Sequence, residues 1–107
     1  MTQISPAQLS AWLAAPDGAK PVLLDVREPW EFQTCRLPDS MLVPMGAIPA
    51  RVVELDPGTD TVVICHHGVR SMRVAYFLEY RGFTKVHNLA GGVDAWARTV
   101  DPAMQVY

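Results

Sequence analysis

The sequence predicts an α/β domain, a mainly parallel central sheet covered by helices on both faces. Three observations carry this. Three short runs, Val22–Val26, Met41–Val43 and Thr61–Ile64, are nearly all apolar and do not alternate, as strands covered on both sides require, and Val86–Leu89 reads as a fourth strand. Segments with helical spacing stand between and around them. Gly- and Pro-bearing turns separate the two kinds of segment.

The elements follow in order. Ser5 is placed as an N-cap with Pro6 at the first helical position, and Gln8 completes the capping-box spacing. Ile4 and Leu9 stand at the positions of a hydrophobic staple, and Leu9, Trp12 and Leu13 form one apolar face, which Ala15-Pro16-Asp17-Gly18 ends. After the strands at Val22 and Met41, residues 47 to 55 are modestly amphipathic, and Asp56-Pro57-Gly58 has the residue order of a type II turn. Thr61–Ile64 is the strongest strand. A helix is predicted from about Ser71 to Arg81, with Val74, Phe77 and Leu78 inward and Gly82 as its cap. Gly91-Gly92 then turns the chain from the last strand into a helix carrying Val93, Trp96 and Ala97.

No linker, repeat or low-complexity stretch divides the chain, so residues 1–107 are expected to form one domain. Hydrophobic residues make up 50% and charged residues 19%, a globular composition, and a domain of this size buries roughly two-thirds of its unfolded surface without needing a metal or disulfide. Nine Lys and Arg against eleven Asp and Glu give a net charge of −2, which offers no overall attraction to nucleic acid or to an anionic membrane. The opening residues lack a signal-peptide pattern, and no run reaches membrane-spanning length, so a cytoplasmic protein with two free thiols, Cys35 and Cys65, is expected.

The chemistry concentrates in Ile64-Cys65-His66-His67-Gly68-Val69-Arg70-Ser71. Cys65 ends a buried strand, where reactive groups of open α/β sheets collect. A tight loop from Cys65 to Ser71 would turn its backbone N–H groups inward, and the positive end of the following helix would reinforce this anion nest. Gly68 permits a close approach or a conformation barred to other residues. Arg70 and Arg73 add positive charge, and no Asp or Glu occurs between Asp60 and Glu79. Such surroundings favour the thiolate, the nucleophilic form of cysteine.

Cys65-x-x-Gly68-x-Arg70-Ser71 resembles the active-site loop of the rhodanese family of sulfurtransferases. Leu24-Asp25-Val26-Arg27-Glu28-x-x-Glu31-Phe32 is similar to that family's first motif, and Gly82-Phe83-x-x-Val86-x-x-Leu89-x-Gly91-Gly92-Val93-x-x-Trp96 to its last. The resemblance implies a five-stranded sheet with the cysteine loop as the floor of a shallow pocket. It implies that the Cys65 thiolate takes sulfur from a donor such as thiosulfate or a persulfide and passes it to a thiol or cyanide, the loop His66, His67, Gly68, Val69 and Arg70 cradling the terminal sulfur. Asp25, Arg27 and Glu31 would support the loop and form its rim, Arg70 would close it structurally, and neither cofactor nor metal is implied. A protein sulfur acceptor is a further implied partner. A persulfide relay serving a protein partner would use identical residues, whereas an inactive interaction module would need no cysteine at position 65, so Cys65 with Gly68 and Arg70 favours activity.

A cysteine-phosphatase reading fits less well, because its usual arginine stands one residue later, where this chain has Ser71, and Ile64 replaces the customary preceding histidine. His66 and His67 suggest loop walls rather than metal ligands, since adjacent residues rarely face one ion, and His87 reads as structural. The segment Thr34-Cys35-Arg36-Leu37-Pro38-Asp39-Ser40 departs from the family's Gly-His pattern. Cys35 there either resolves a Cys65 persulfide by disulfide formation or fills space. Thiosulfate-handling members often carry an arginine at the place of Glu31. Glu31 therefore either faces the donor and repels its sulfonate end, or pairs with Arg27 or Arg36 as a loop tether.

Overall fold

In the computed structural model, which describes residues 1–107, five strands share one sheet: β1 (Thr2–Ile4), β2 (Val22–Asp25), β3 (Met41–Leu42), β4 (Thr61–Ile64) and β5 (Val86–Leu89). Their order is β1-β5-β4-β2-β3, and every neighbouring pair is parallel. Five helices accompany them: α1 (Pro6–Ala14), α2 (Pro29–Thr34), α3 (Ile48–Arg51), α4 (Val69–Tyr80) and α5 (Gly92–Thr99). No helix is long and apolar enough to cross a membrane.

The unbroken apolar runs work because successive side chains serve opposite cores. Leu24, Val63 and Cys65 join Ile48 of α3 and Val74, Ala75 and Leu78 of α4 on one face. Leu23, Val62 and Ile64 join Leu9 of α1 and Val93 and Trp96 of α5 on the other. This period-two division means that Cys65 belongs to the α4 layer, the helix that begins four residues after it.

Local chemistry sets most boundaries. The capping box forms as expected, Gln8 N–H donating to Ser5 Oγ at 3.1 Å and Ser5 N–H to Gln8 Oε1 at 2.8 Å. Past Arg81, Gly82 adopts φ +93°, and Gly82 N–H to Glu79 O with Phe83 N–H to Leu78 O closes α4 as a Schellman motif.

Other expectations need correction. Thr2–Ile4 is a strand, too short to carry a periodic signal and ordered by pairing with β5. Pro29–Thr34 is a helix, again too short for periodicity. Helix α4 starts at Val69 rather than Ser71, because Gly68 takes φ +100° and serves as its N-cap. The stretch 47–55 breaks into α3 and a 3-10 turn at Val52–Glu54. The turn at Asp56–Thr59 is not type II: Gly58 is absent from the left-handed region, and the Asp56 carboxylate instead accepts Gly58 N–H at 2.8 Å.

Gly92 fixes where α5 meets β4. Val93 N–H donates to Cys65 O at 2.9 Å and Asp94 N–H to His66 O at 3.1 Å, so the start of α5 holds the start of the cysteine loop. A Cβ on Gly92 would lie 2.4 Å from both carbonyl oxygens, and its φ is +60°. Gly92→Ala is therefore expected to destabilise the fold by about 2 kcal/mol or more, measured by denaturant unfolding. A loss below that of an exposed-site control would mean that the contact between α5 and the loop is slack.

Candidate functional site

Four residues take the chain from β4 into α4. Cys65 leaves the strand, His66 and His67 turn, and Gly68 caps the helix. The backbone N–H of Gly68 donates to Cys65 Sγ at 3.0 Å. A Cβ at Gly68 would lie 3.2 Å from the Gly91 nitrogen and 3.4 Å from Leu89 O, so the turn is also packed from behind. The N–H groups of His66 and His67 take no acceptor within the protein. Those of Val69, Arg70 and Ser71 lie in the first helical turn, which offers none. One amide thus reaches the sulfur itself, and the remaining donors of the expected nest are unspent.

A buried polar chain that the sequence reading did not single out backs the thiol. Ser71 Oγ lies 3.2 Å from Cys65 Sγ and donates to Asn88 Oδ1. Asn88 Nδ2 donates to Gly68 O at 3.2 Å and to Gln3 Oε1 at 3.0 Å, which fixes the orientation of its amide. With its own proton on Asn88, Ser71 accepts from the Cys65 thiol; turned to the sulfur, that proton gives a thiolate a second donor. Ser71 was visible in the motif. Asn88 and Gln3 reach the site only through sheet pairing, and no local pattern marks them.

The flanking charges are paired. Asp25 and Arg27 are both fully buried, and Arg27 Nε and Nη2 donate to the two Asp25 oxygens at 3.0 and 2.8 Å. Its remaining donors reach Glu31 O, Cys35 O and the Tyr107 hydroxyl, so this one guanidinium ties the end of β2 to both ends of the segment 31–35 and to the segment at 107. Burial disfavours the Arg27 cation, but its bonds to Asp25 and Tyr107 outweigh this and hold it above the ordinary guanidinium value.

Glu31 corrects both alternatives drawn from the sequence. It is 3% exposed, and its partner is neither Arg27 nor Arg36. Arg70 Nη1 and Nη2 meet Oε1 and Oε2 at 2.7 and 2.8 Å, Tyr107 Oη donates to Oε2 at 2.8 Å, and Glu28 N–H donates to Oε1 at 2.9 Å. A carboxylate so occupied offers no free charge to repel a donor. Arg36 instead lies over the Phe32 ring.

Other expectations also shift. Cys65 is 1% exposed and lines none of the four cavities, so the thiol is enclosed rather than set on the floor of an open pocket. Cys35 packs against the α1–α5 core, whereas Cys65 belongs to the opposite one, and both thiols are free. The His66 and His67 rings stack at 4.0 Å, and their nitrogens come within 4.8 Å of each other and of the Asp94 carboxylate. Near-parallel rings do not aim their lone pairs at one point, however, and both Asp94 oxygens accept from Arg98. Burial, then the neighbouring His67, lowers the His66 pKa. His87 bridges Thr2 and Asp60 at the far end of the sheet.

The Arg70 guanidinium holds the Glu31 carboxyl down at about 2, from an ordinary 4.5. A depressed carboxyl contributes stability that is complete above the unfolded value and is lost as pH falls through the folded one. Stability is therefore expected to decline between about pH 4.5 and 2, with Glu31→Gln flattening this part of the profile in denaturant titrations at stepped pH. An unchanged slope in the variant would remove the ion pair as its cause.

Comparison with known proteins follows the same lines. A family described as "Rhodanese-like domain" matches residues 5–99. A protein named "Sulfurtransferase" from Allochromatium vinosum is 37% identical over 98 residues, covering 92% of this chain and 90% of that protein. The "Rhodanese-like/PpiC domain-containing protein 12, chloroplastic" of Arabidopsis thaliana is 39% identical over 89 residues, but the match spans only 30% of that relative's length. A crystal structure of a rhodanese-like domain protein from Staphylococcus aureus superposes with a TM-score of 0.85 at 27% identity, covering 100% of this chain and 99% of that one.

Proposed function

The chain belongs to the rhodanese-like domain family, and from that premise we propose that it is a sulfurtransferase working through a persulfide on Cys65. The observation that carries the reading is the Gly68 N–H bond to Cys65 Sγ at the start of a twelve-residue helix, with further unspent amides around it. A thiolate gains from that donor and from the positive helix end before attack, and the same groups serve a terminal sulfur anion after it.

With thiosulfate as donor, the Cys65 thiolate attacks the outer sulfur, an S–S bond forms to give Cys65–S–S⁻, and the S–S bond of the donor breaks with release of sulfite. Cyanide or a thiolate then attacks the terminal sulfur and carries it off, and Cys65 leaves as the thiolate. The sulfur is transferred without net oxidation of the protein. Since Cys65 is almost wholly enclosed, a donor reaches its thiolate only as the surroundings of the loop yield.

Two features support sulfur over phosphate as the cargo. The turn between Cys65 and the helix cap is only two residues long. Ser71 stands where a phosphatase's oxyanion-gripping arginine would be, and the neighbouring Arg70 commits both terminal nitrogens to Glu31. It serves this reaction by fixing the first turn of α4, whose amides face the incoming group. Glu31, Asp25 and Arg27 act one layer further out, as supports. Thiosulfate with cyanide is the simplest donor and acceptor pair for this chemistry. A low-molecular-weight thiol or a protein thiol in place of cyanide uses the same steps.

Incubation with thiosulfate followed by intact-mass analysis is expected to add 32 Da to roughly one equivalent of the wild-type protein, the mass of one sulfur in the persulfide form of a cysteine nucleophile. Cys65→Ser should gain none. Sulfur retained by Cys65→Ser, or found on Cys35 alone, would overturn the assignment.

A further inference from the structure

The segment 105–107 returns to the cysteine loop and places Tyr107 against it. The ring of Tyr107 stacks on His66 with centroids 3.9 Å apart and planes 13° apart, and it meets Trp30 edge-on at 5.5 Å. Its hydroxyl accepts from Arg27 Nη1 at 2.9 Å and donates to Glu31 Oε2 at 2.8 Å. Glu31 in turn holds Arg70 through two bonds. One side chain therefore touches the first residue after Cys65 by its face and, through Glu31, Arg70 in the first turn of α4 by its edge.

On the reading that Cys65 carries the sulfur, we infer that Tyr107 is a positioning residue that clamps both ends of the Cys65 loop, His66 by stacking and Arg70 through Glu31.

The hydroxyl suits this task as a neutral bridge. Burial, reinforced by the Glu31 bond and opposed by Arg27, pushes the phenol up to about 12, so it stays a donor to the carboxylate at neutral pH. Arg27 and Asp25 are fully buried, which makes the anchor behind the hydroxyl rigid. The bridge also orients Glu31. Without the phenol, the carboxylate keeps Arg70 and the Glu28 amide but loses the bond that links it, through the hydroxyl, to Arg27. A loop that must present several amides to one sulfur atom is sensitive to such loosening, because misplacement by a fraction of an ångström weakens every donor together.

Tyr107→Phe separates the two halves of the clamp, keeping the ring and removing the bridge, while Tyr107→Leu removes both. Tyr80→Phe, at a residue 87% exposed on α4, controls for loss of a tyrosine hydroxyl. The clamp predicts that amide hydrogen exchange at Gly68, Val93 and Asp94, the amides bonded to the Cys65 loop, speeds up in Tyr107→Phe by about 3-fold or more, and further in Tyr107→Leu, with exchange in β4 and β5 unchanged. It predicts that kcat for sulfur transfer from thiosulfate to cyanide falls about 3- to 10-fold in Tyr107→Phe with KM moving less than about 2-fold. In a Glu31→Gln background the same substitution should add little, since its route to Arg70 is already cut.

Unchanged exchange at Gly68, Val93 and Asp94 in both Tyr107 variants would overturn the clamp, whatever the activity. Faster exchange with full kcat would overturn its positioning role, and additivity with Glu31→Gln would overturn the route through Glu31. Because exchange is measured without substrate, the clamp is decided even if the wild-type protein transfers no sulfur, an outcome that would count against the function proposed above and not against the clamp.

Discussion

The site depends on how abruptly a strand becomes a helix. Between Ile64, the last residue of β4, and Val69, the first of α4, only four residues turn the chain, and the turn closes because Gly68 occupies the left-handed region and Gly92 lets α5 press its first amides onto the carbonyls of Cys65 and His66. A side chain at Gly92 would force α5 away from the loop, and one at Gly68 would be strained at its left-handed φ and press on the backbone of Leu89 and Gly91. With both in place, the sulfur at the strand end lies 3.0 Å from an amide at the helix start. The thiol therefore sits where the backbone itself supplies hydrogen-bond donors.

The charges around this turn follow a different logic from the one their sequence neighbourhood suggests. Arg70 stands in a stretch free of acids from Asp60 to Glu79, yet the fold brings Glu31 from 39 residues earlier to cover it. Arg27 is likewise covered by Asp25. Two buried or half-buried ion pairs leave little net charge from these four groups, so a sulfur anion is served by oriented amides and the helix end more than by a free guanidinium. Replacing such pairs by apolar residues of the same shape is often neutral, while breaking one partner is costly. Their effect is to fix geometry: Arg27 binds three segments of chain together, and Arg70 joins α2 to α4 across the loop.

Much of this was legible in the sequence wherever the signal was local. The Ser5–Gln8 capping box, the apolar strand at Thr61–Ile64, the Gly82 stop and the cysteine loop were each carried by a few adjacent residues whose chemistry permits few alternatives. The elements β1 and α2 were not legible, since neither carries an apolar run and both are shorter than the windows in which helical periodicity shows, and β1 is ordered by its partner β5 rather than by its own propensity. Side-chain partners distant in sequence were hidden for the same reason. Nothing near Glu31 signals Arg70, nothing near Ser71 signals Asn88, and Tyr107 stands 76 residues from the carboxylate it binds. The enclosure of Cys65 also escaped, because burial of a strand-end residue is decided by what packs over it.

The central claim is that the terminal sulfur is held by the amides of this turn while the Glu31–Arg70 pair stays closed. A crystal structure of the protein loaded with sulfur from thiosulfate tests it directly. The account predicts one additional sulfur on Cys65 Sγ, within hydrogen-bond reach of N–H groups from residues 66 to 70, with both Arg70 nitrogens still on Glu31. Arg70 released from Glu31 and turned onto the added sulfur, or the sulfur pointing away from the turn, would contradict it.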